Sequence, residues 1–433
     1  VCAASASAPT PPPTPTPTAS WMDHHHPLVL PPPSLPRKVT LYTTQWSESH
    51  CFAPTRGDGA LASRIRVYGD WLPRSILGRG TALCSSIRMC YLALVMLFVA
   101  AADAVFADGV STMLPILRLR FPVLFYCHYP DKLLCTQRDS LLKRLYRAPL
   151  DWAEQWTTGY ATTTVVNSKF TRSIFQEAFP ALSKRSLPEI LYPVADLKSF
   201  TPPDWVAREA GGLGPFVSLN RFERKKNVGL AIEALAVVKR AMAPAQMVDV
   251  RLIIAGGYDT KVTENVQYLQ ELEALAKTQG VQDLVEFKPS VSDAERDRLL
   301  QGAVCVIYTP ENEHFGIVPI EAMYAGAPVL AAKSGGPLET VADGRSGFLR
   351  ENTPDAFGKV MVGLATAPER SVAMGKAAHE HVLKNFGTEA FEESLDAAVR
   401  VTLTRGGGAA GGGAWLLAAP FLFLMLACFL GSG

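Results

Sequence analysis

Several patterns that would each point to a particular chemistry are missing from this sequence. Its eight cysteines are scattered, with no C-x-x-C pair and no recurring spacing, which excludes a disulfide framework and a zinc site. Free, mostly buried thiols in a reducing compartment are the expectation. No Asp-x-Asp pair occurs, so no metal–diphosphate site is visible. No Asn stands two places before Ser or Thr with a residue other than Pro between, so there is no N-glycosylation acceptor, in keeping with a cytosol-facing protein. Neither sign of charge is in excess: a formal net charge of +2 excludes a nucleic-acid binder driven by overall charge. The leader has no basic segment ahead of an apolar core and does not read as a secretory signal.

What is present suffices for two domains and tails. The chain has 433 residues, 48% of them hydrophobic, so a sizeable core can form. Residues 1–37 are rich in Pro, Thr, Ala and Ser and favour extended, solvated conformations; the triplet His24–His26 inside them is read as composition, not as a metal site. Regular structure is expected from residue 38, where KVTLYTT reads as a strand. The apolar run YLALVMLFVAAADAVFA, residues 91–107, is at the lower edge of membrane-span length and is interrupted by Asp103. A buried helix followed by a buried strand is the preferred reading. Next come VLFYCHYP, TTTVVNSKF and ILYPVAD, each an apolar run followed by a polar turn or helix start, the signature of βα units.

The Gly-rich break AREAGGLG, residues 207–214, reads as an interdomain linker. A second βα series follows it through FVSLN, VRLIIAGG, LVEFKPS, VCVIYTP and PVLAAKS. Two successive series imply an α/β protein with two Rossmann-like, doubly wound parallel sheets facing a cleft. Ligands in such sheets bind at the carboxyl ends of strands. At the far end RGGGAAGGGA is a flexible linker, and the uncharged run WLLAAPFLFLMLACFL with its edge Trp reads as a tail anchor.

Two segments carry the chemistry. EHFGIVPIE, Glu313 to Glu321, directly follows the strand VCVIYTP. Gly316 turns the backbone, Pro319 is allowed in the first helical turn, and Gly326 with Pro328 ends the helix. Two carboxylates thus bracket the free N–H groups of a helix start, a seat for phosphate beside acceptors for hydroxyl-rich ligands. In NRFERKKN, Arg221 and Lys226 lie just past the strand FVSLN, where two cations could clamp a diphosphate. A third segment, SLLKRLYRAPLDW, alternates Leu141, Leu142, Leu145 and Tyr146 with Lys143, Arg144 and Arg147, which suits a membrane surface, a pyrophosphate, or docking on its own domain. Ser168 is placed to cap the helix KFTRSIFQEAF.

Arg221 with Lys226, followed by Glu313 and Glu321 at E-x7-E spacing, resembles the retaining GT-B glycosyltransferases of the sucrose-synthase-like family 4. Within that family, FYCHYPD, LLKRLYRAPLDW, VVNSKFT, NRFERKKN, IIAGGYD, YTPENEHFGIVPIEAMY and SGGPLE are similar to the alpha-1,3/1,6-mannosyltransferases of dolichol-linked oligosaccharide assembly. The resemblance covers residues 38–386. It implies a GT-B fold with an acceptor-side domain at 38–206, a nucleotide-sugar domain at 207–385, a helix at 386–404 crossing back, and linker and tail at 405–433. It implies transfer of mannose from GDP-mannose to Man1GlcNAc2-PP-dolichol, first 1,3 and then 1,6, with retained configuration and no metal or other cofactor. The implied setting is the cytosolic face of the endoplasmic reticulum membrane, beside other enzymes of that assembly. By the same resemblance Arg221 and Lys226 hold the donor diphosphate and Glu321 the ribose. Glu313 with the Phe315–Gly316 backbone holds the mannose, Gly256 and Gly257 let the backbone approach the nucleotide, and His128 sits near the transferring sugar.

The family opens with a strand and a Gly-Gly-Ala-Glu-Arg-like loop, and nothing in residues 1–50 matches them. KVTLYTT resembles the family's second strand, so the N-terminal domain is expected to be missing its first. That departure leaves two competitors: a catalytically silent, membrane-bound partner of other sugar transferases, and a lipid-directed transferase of this fold using another nucleotide sugar.

Overall fold

A computed structural model describes residues 38–406, except 49, 50, 52, 77–79, 135–140, 196, 198, 199 and 213. The Pro/Thr-rich leader and the apolar run at 415–430 lie outside the described residues. The chain groups into two compact units, each made of separate stretches: Val1–Tyr126, Cys135–Thr164 and Ala398–Gly433 form one, Cys127–Leu134 and Val165–Ala397 the other.

In the first unit β1 (Leu41–Thr43) is the strand expected in KVTLYTT, and it pairs in parallel with β2 (Ile65–Val67) in a small sheet of its own. The apolar run at 91–107 resolves into the end of a helix, Thr81–Val99, followed by β3 (Val105–Asp108). Among the described residues this is the one helix long and apolar enough to cross a membrane, by length and composition. Cys84, Cys90, Leu92, Ala93 and Met96 are buried within the unit, while Phe98 and Val99 at its end are exposed. Arg88, also buried, donates to the Thr44 carbonyl at 2.7 Å, so the charge is satisfied by the protein's own backbone. β3 pairs in parallel with β4 (Val123–Cys127), every residue of which is buried. Thr162, ahead of β5 (Thr163–Val166), closes a reciprocal pair with Val123: each backbone N–H finds an oxygen on the other residue at 2.9 Å. The helix Leu141–Thr158 carries Pro149 in its interior and exposes Leu145 and Trp152.

The second unit holds the end of β5, the short β6 (Glu189–Ile190) paired with it, and a six-stranded parallel sheet. That sheet contains β7 (Phe216–Leu219), β8 (Leu252–Gly256), β9 (Val285–Pro289), β10 (Cys305–Tyr308), β11 (Val329–Ala332) and β12 (Gly347–Arg350). Their spatial order is β12-β11-β10-β7-β8-β9. Counted from β7 this is the doubly wound order 3-2-1-4-5-6, with its switch point between β7 and β10. β7, β8, β10 and β11 are buried along their whole length, as continuous apolar runs covered on both faces must be. One face packs on the helices Gly229–Ala241, Thr263–Thr278 and Pro354–Ala365 through Leu235, Leu272 and Phe357; the other packs on Ile317–Tyr324 and Glu369–Phe386 through Ile320, Met323 and Val382.

Three local outcomes refine the reading from sequence. Residues 207–210, expected to open a linker, belong instead to the helix Trp205–Ala210, capped by the Asp204 side chain at 3.0 Å. Ser168 caps the helix Lys169–Ala178 as expected, its hydroxyl accepting from the Thr171 N–H at 2.9 Å. The helix Thr388–Gly406 begins in the second unit and ends in the first.

Candidate functional site

At a switch point the loops following two adjacent central strands diverge and leave a crevice at the carboxyl end of the sheet. Here those strands are β7 and β10, and the two motifs follow them directly. β7 runs into Asn220 and Arg221 and then a short 3-10 turn, Arg224–Lys226, closed by Asn227 in the left-handed region at φ 49. β10 runs into Thr309 and the segment Glu313–Gly316. Gly316, at φ 84, then reverses the backbone into the helix Ile317–Tyr324 with Pro319 in its first turn. The two loops meet: the Lys226 ammonium donates to the Glu313 carboxylate, both side chains largely withdrawn from solvent. The buried Thr309 hydroxyl donates to the Lys226 carbonyl at 2.7 Å, fixing the backbone that carries the cation.

Arg224 pairs with Glu271 at 2.6 Å, and the other two cations of the segment gather on Glu223. Arg221 reaches it at 3.2 Å and Lys225 at 3.0 Å. Burial raises the Glu223 carboxyl, but the Lys225 hydrogen bond and the charges of Arg221, Lys225 and Lys226 outweigh it, leaving the pKa below its ordinary value. Arg221 keeps its side chain 67% exposed, so its guanidinium is free to turn toward a solvent-borne anion. Gly256 ends β8 beside it and Gly257 follows. Gly256 sits at φ 141, and a Cβ there would lie 2.1 Å from the Asn220 carbonyl oxygen; one on Gly257 would press the Arg221 stem at 3.1 Å. Gly256 is therefore demanded by the neighbouring strand end, whereas at Gly257 a small shift of the Arg221 stem would make room.

On the β10 side, Phe315 is buried and stacks on Tyr192 with ring centroids 5.5 Å apart. Glu321, one turn into the helix, is partly buried and faces Arg296 at 3.8 Å. Burial pushes its carboxyl above the ordinary range, against the lowering effect of Arg296. His314 stacks on Tyr129, ring centroids 4.0 Å apart and 13° from parallel. Burial lowers the His314 pKa; Glu313 opposes this, while Lys226 and His128 add to it. His128 itself is exposed just beyond β4, within electrostatic reach of His314.

The structure thus brings Lys226, Glu313, Phe315, Gly316 and His128 around one loop, with Arg221, Gly256 and Gly257 on the adjoining strand ends. Glu321 has its own cation, Arg296, which the motif reading did not name. Nor did it give a role to the SGGPLE loop after β11. There the Gly336 N–H donates to the Glu313 carbonyl at 2.7 Å, and Cβ atoms on Gly335 and Gly336 would lie 2.5 Å from Glu313 O and 2.2 Å from Phe315 O. The paired glycines of SGGPLE were the available signal. No cluster of metal-ligating side chains occurs among the described residues.

The family profile "Glycosyl transferases group 1" matches residues 209–381. Among solved structures, a sucrose-phosphate synthase from Thermosynechococcus elongatus superposes with a TM-score of 0.57 at 21% identity, over 72% of this chain and 77% of that one. Anabaena Alr3699/HepE in complex with UDP-glucose superposes at 0.58 and 18% identity, over 83% and 99%. A doubly wound sheet with paired cations and carboxylates across its switch point, in this structural company, defines a glycosyltransferase of the GT-B fold. The alpha-1,3/1,6-mannosyltransferase ALG2 of Homo sapiens is 44% identical over 370 residues, 82% of this chain and 87% of its own length. Its counterpart in Rhizomucor pusillus is 39% identical over 388 residues, 83% and 84%. The chain belongs to the alpha-1,3/1,6-mannosyltransferase family.

Proposed function

We propose that this mannosyltransferase takes alpha-mannose from GDP-mannose and adds it, with retention, first 1,3 and then 1,6, to Man1GlcNAc2-PP-dolichol at the cytosolic face of the endoplasmic reticulum membrane. The observation that carries the site assignment is the Lys226–Glu313 ion pair across the switch point. Breaking the donor's anomeric bond releases a diphosphate, so charge must be neutralised where that group departs. Lys226 and the exposed Arg221 supply it, and the N–H groups at the start of Ile317–Tyr324 add fixed dipoles. Glu313 orients the ammonium on one side and accepts sugar hydroxyls on the other. The Phe315–Gly316 backbone borders the mannose, Glu321 accepts from the ribose, and His128 stands near the transferring sugar. This set of cations serves without a metal.

The exposed Leu145 and Trp152 of Leu141–Thr158, with Phe98 and Val99 at the end of Thr81–Val99, support contact with a lipid surface. The decisive assay incubates membranes carrying the full chain with GDP-mannose and the lipid-linked acceptor and resolves products by length, with Glu313→Ala and Lys226→Ala as controls. Two successive additions, both lost in the controls, uphold the reading. Full activity in both controls overturns the site assignment.

A further inference from the structure

Glu339, the last residue of SGGPLE, makes contacts that donor binding does not require. Its carboxylate accepts from the Lys169 N–H at 2.9 Å and the Phe170 N–H at 3.3 Å, the first two donors of the helix Lys169–Ala178. The same carboxylate accepts from the Tyr192 hydroxyl at 3.0 Å. Ser168 serves the next N–H, so the first three N–H groups of that helix all have acceptors, with a negative charge at its positive end. These partners come from three stretches, up to 170 residues apart in sequence.

Both arms leading away from Glu339 end on the Glu313–Phe315 loop. Through Tyr192 the path runs ring to ring: Tyr192 stacks on Phe315 at 5.5 Å, and both rings meet Phe386, at 5.3 Å and 5.9 Å. Through the backbone it runs three residues back to Gly336, whose N–H holds the Glu313 carbonyl at 2.7 Å. Gly335 and Gly336 lie so close beneath Glu313 and Phe315 that neither could carry a side chain. A hydroxyl held by a charged acceptor can turn neither toward water nor toward another partner, so the Tyr192 ring has one setting against Phe315.

We propose that Glu339 is a positioning residue for sugar transfer: by tying the start of Lys169–Ala178 to the Tyr192 hydroxyl, it holds the Glu313–Phe315 loop in its working shape. This rests on the reading of that loop as the seat of the donor sugar. It assigns Glu339 no contact with substrate. The expected effect is on kcat more than on donor KM, because a loop shifted by a fraction of an ångström still binds the nucleotide but misplaces the reacting sugar.

The test uses the full chain purified in detergent, as wild type and as Glu339→Ala, Glu339→Gln, Tyr192→Phe and Glu313→Ala. Two quantities are read: kcat and KM for GDP-mannose, and backbone hydrogen exchange in peptides covering 169–172 and 313–316. For Glu339→Ala, kcat should fall roughly tenfold, within the range that misplacement of reacting groups produces, with KM within about twofold. Exchange should rise in both peptides. Glu339→Gln, keeping one acceptor oxygen, and Tyr192→Phe, keeping the ring but losing the hydroxyl, should fall between wild type and Glu339→Ala in both measurements. Faster exchange confined to 169–172, or an unchanged kcat, would show Glu339 to be only a helix cap and would overturn the inference. Should Glu339→Ala fail to fold, Glu339→Gln and Tyr192→Phe decide by the same two readouts. Glu313→Ala separates the premises: if it leaves kcat and KM unchanged, the donor-loop reading falls, and if it abolishes transfer while folded Glu339 variants match wild type, only the Glu339 inference falls.

Discussion

Lys226 and Glu313 are 87 residues apart in sequence and share an ion pair because β7 and β10, the strands that deliver them, are neighbours in the sheet. Neither alone would mark a site. Together they give a cation whose direction is set by a carboxylate, in a place largely withdrawn from water. Removing either should therefore cost more in transfer than in folding. Lys226→Ala and Glu313→Ala are each expected to lower kcat about 100- to 1,000-fold, the scale for removing one preorganised electrostatic group. The double variant should lose little beyond the worse single one, since the two act as a unit. Single-turnover assays with thermal melting as a folding control check this.

Glu321 should leave a trace in the pH dependence of stability. Its carboxyl is raised above the ordinary 4.5 by burial, so between 4.5 and the higher folded value the native state binds more protons than the unfolded chain. This group's contribution is fully present below 4.5 and is lost as pH rises through the folded pKa. Glu321→Gln should remove that loss: the variant's urea midpoint should decline less than wild type's from pH 4.5 upward. It should also raise the donor KM if the carboxylate accepts from the ribose.

A methyl group at Gly336 has nowhere to go, because it would fall 2.2 Å from Phe315 O and 2.4 Å from Phe315 Cα, both backbone atoms. Gly336→Ala is expected to destabilise the fold by about 1–3 kcal/mol, the usual penalty for overpacking. The Glu313 carbonyl would shift with it, so activity measured on the folded fraction should fall as well. Denaturant unfolding and a specific-activity assay together check this.

Incubation with excess EDTA is expected to leave the rate of transfer from GDP-mannose within about twofold of the untreated rate if, as proposed, Arg221, Lys226 and the helix start neutralise the departing diphosphate without a metal. Full loss on chelation, restored by added divalent cation, would contradict the expectation.

Much of this was readable in advance, and the reasons are local. Buried parallel strands such as LIIAG and CVIY are continuous apolar runs, and the turns after them contain Gly or Pro where the backbone reverses, so β7 to β11 could be placed from the residues alone. β12 begins at Gly347 and carries only partly buried side chains, so no apolar run announced it. That the segments carrying Lys226 and Glu313 share one cleft could be read once both were set at strand ends, but the ion pair between the two residues was not foreseen. Arg296 and Glu339 escaped for the opposite reason. Each is one charged residue on an ordinary helix, and its importance comes from what lies against it after folding: Glu321 for one, Lys169, Phe170 and Tyr192 for the other. Tyr129 is similar, since its stacking on His314 joins segments with no shared pattern.

The strand order also constrains when competence can arise as the chain emerges from the ribosome. β7, β8 and β9 can lay down half a sheet unaided, and the cations after β7 would already be in place. The Glu313 carboxylate that pairs with Lys226 arrives only when β10 inserts beside β7, after a long excursion through two other strands, a slow kind of closure. A nascent polypeptide halted at residue 302 would thus hold Arg221 against Glu223 but display Lys226 without the Glu313 carboxylate that sets its direction.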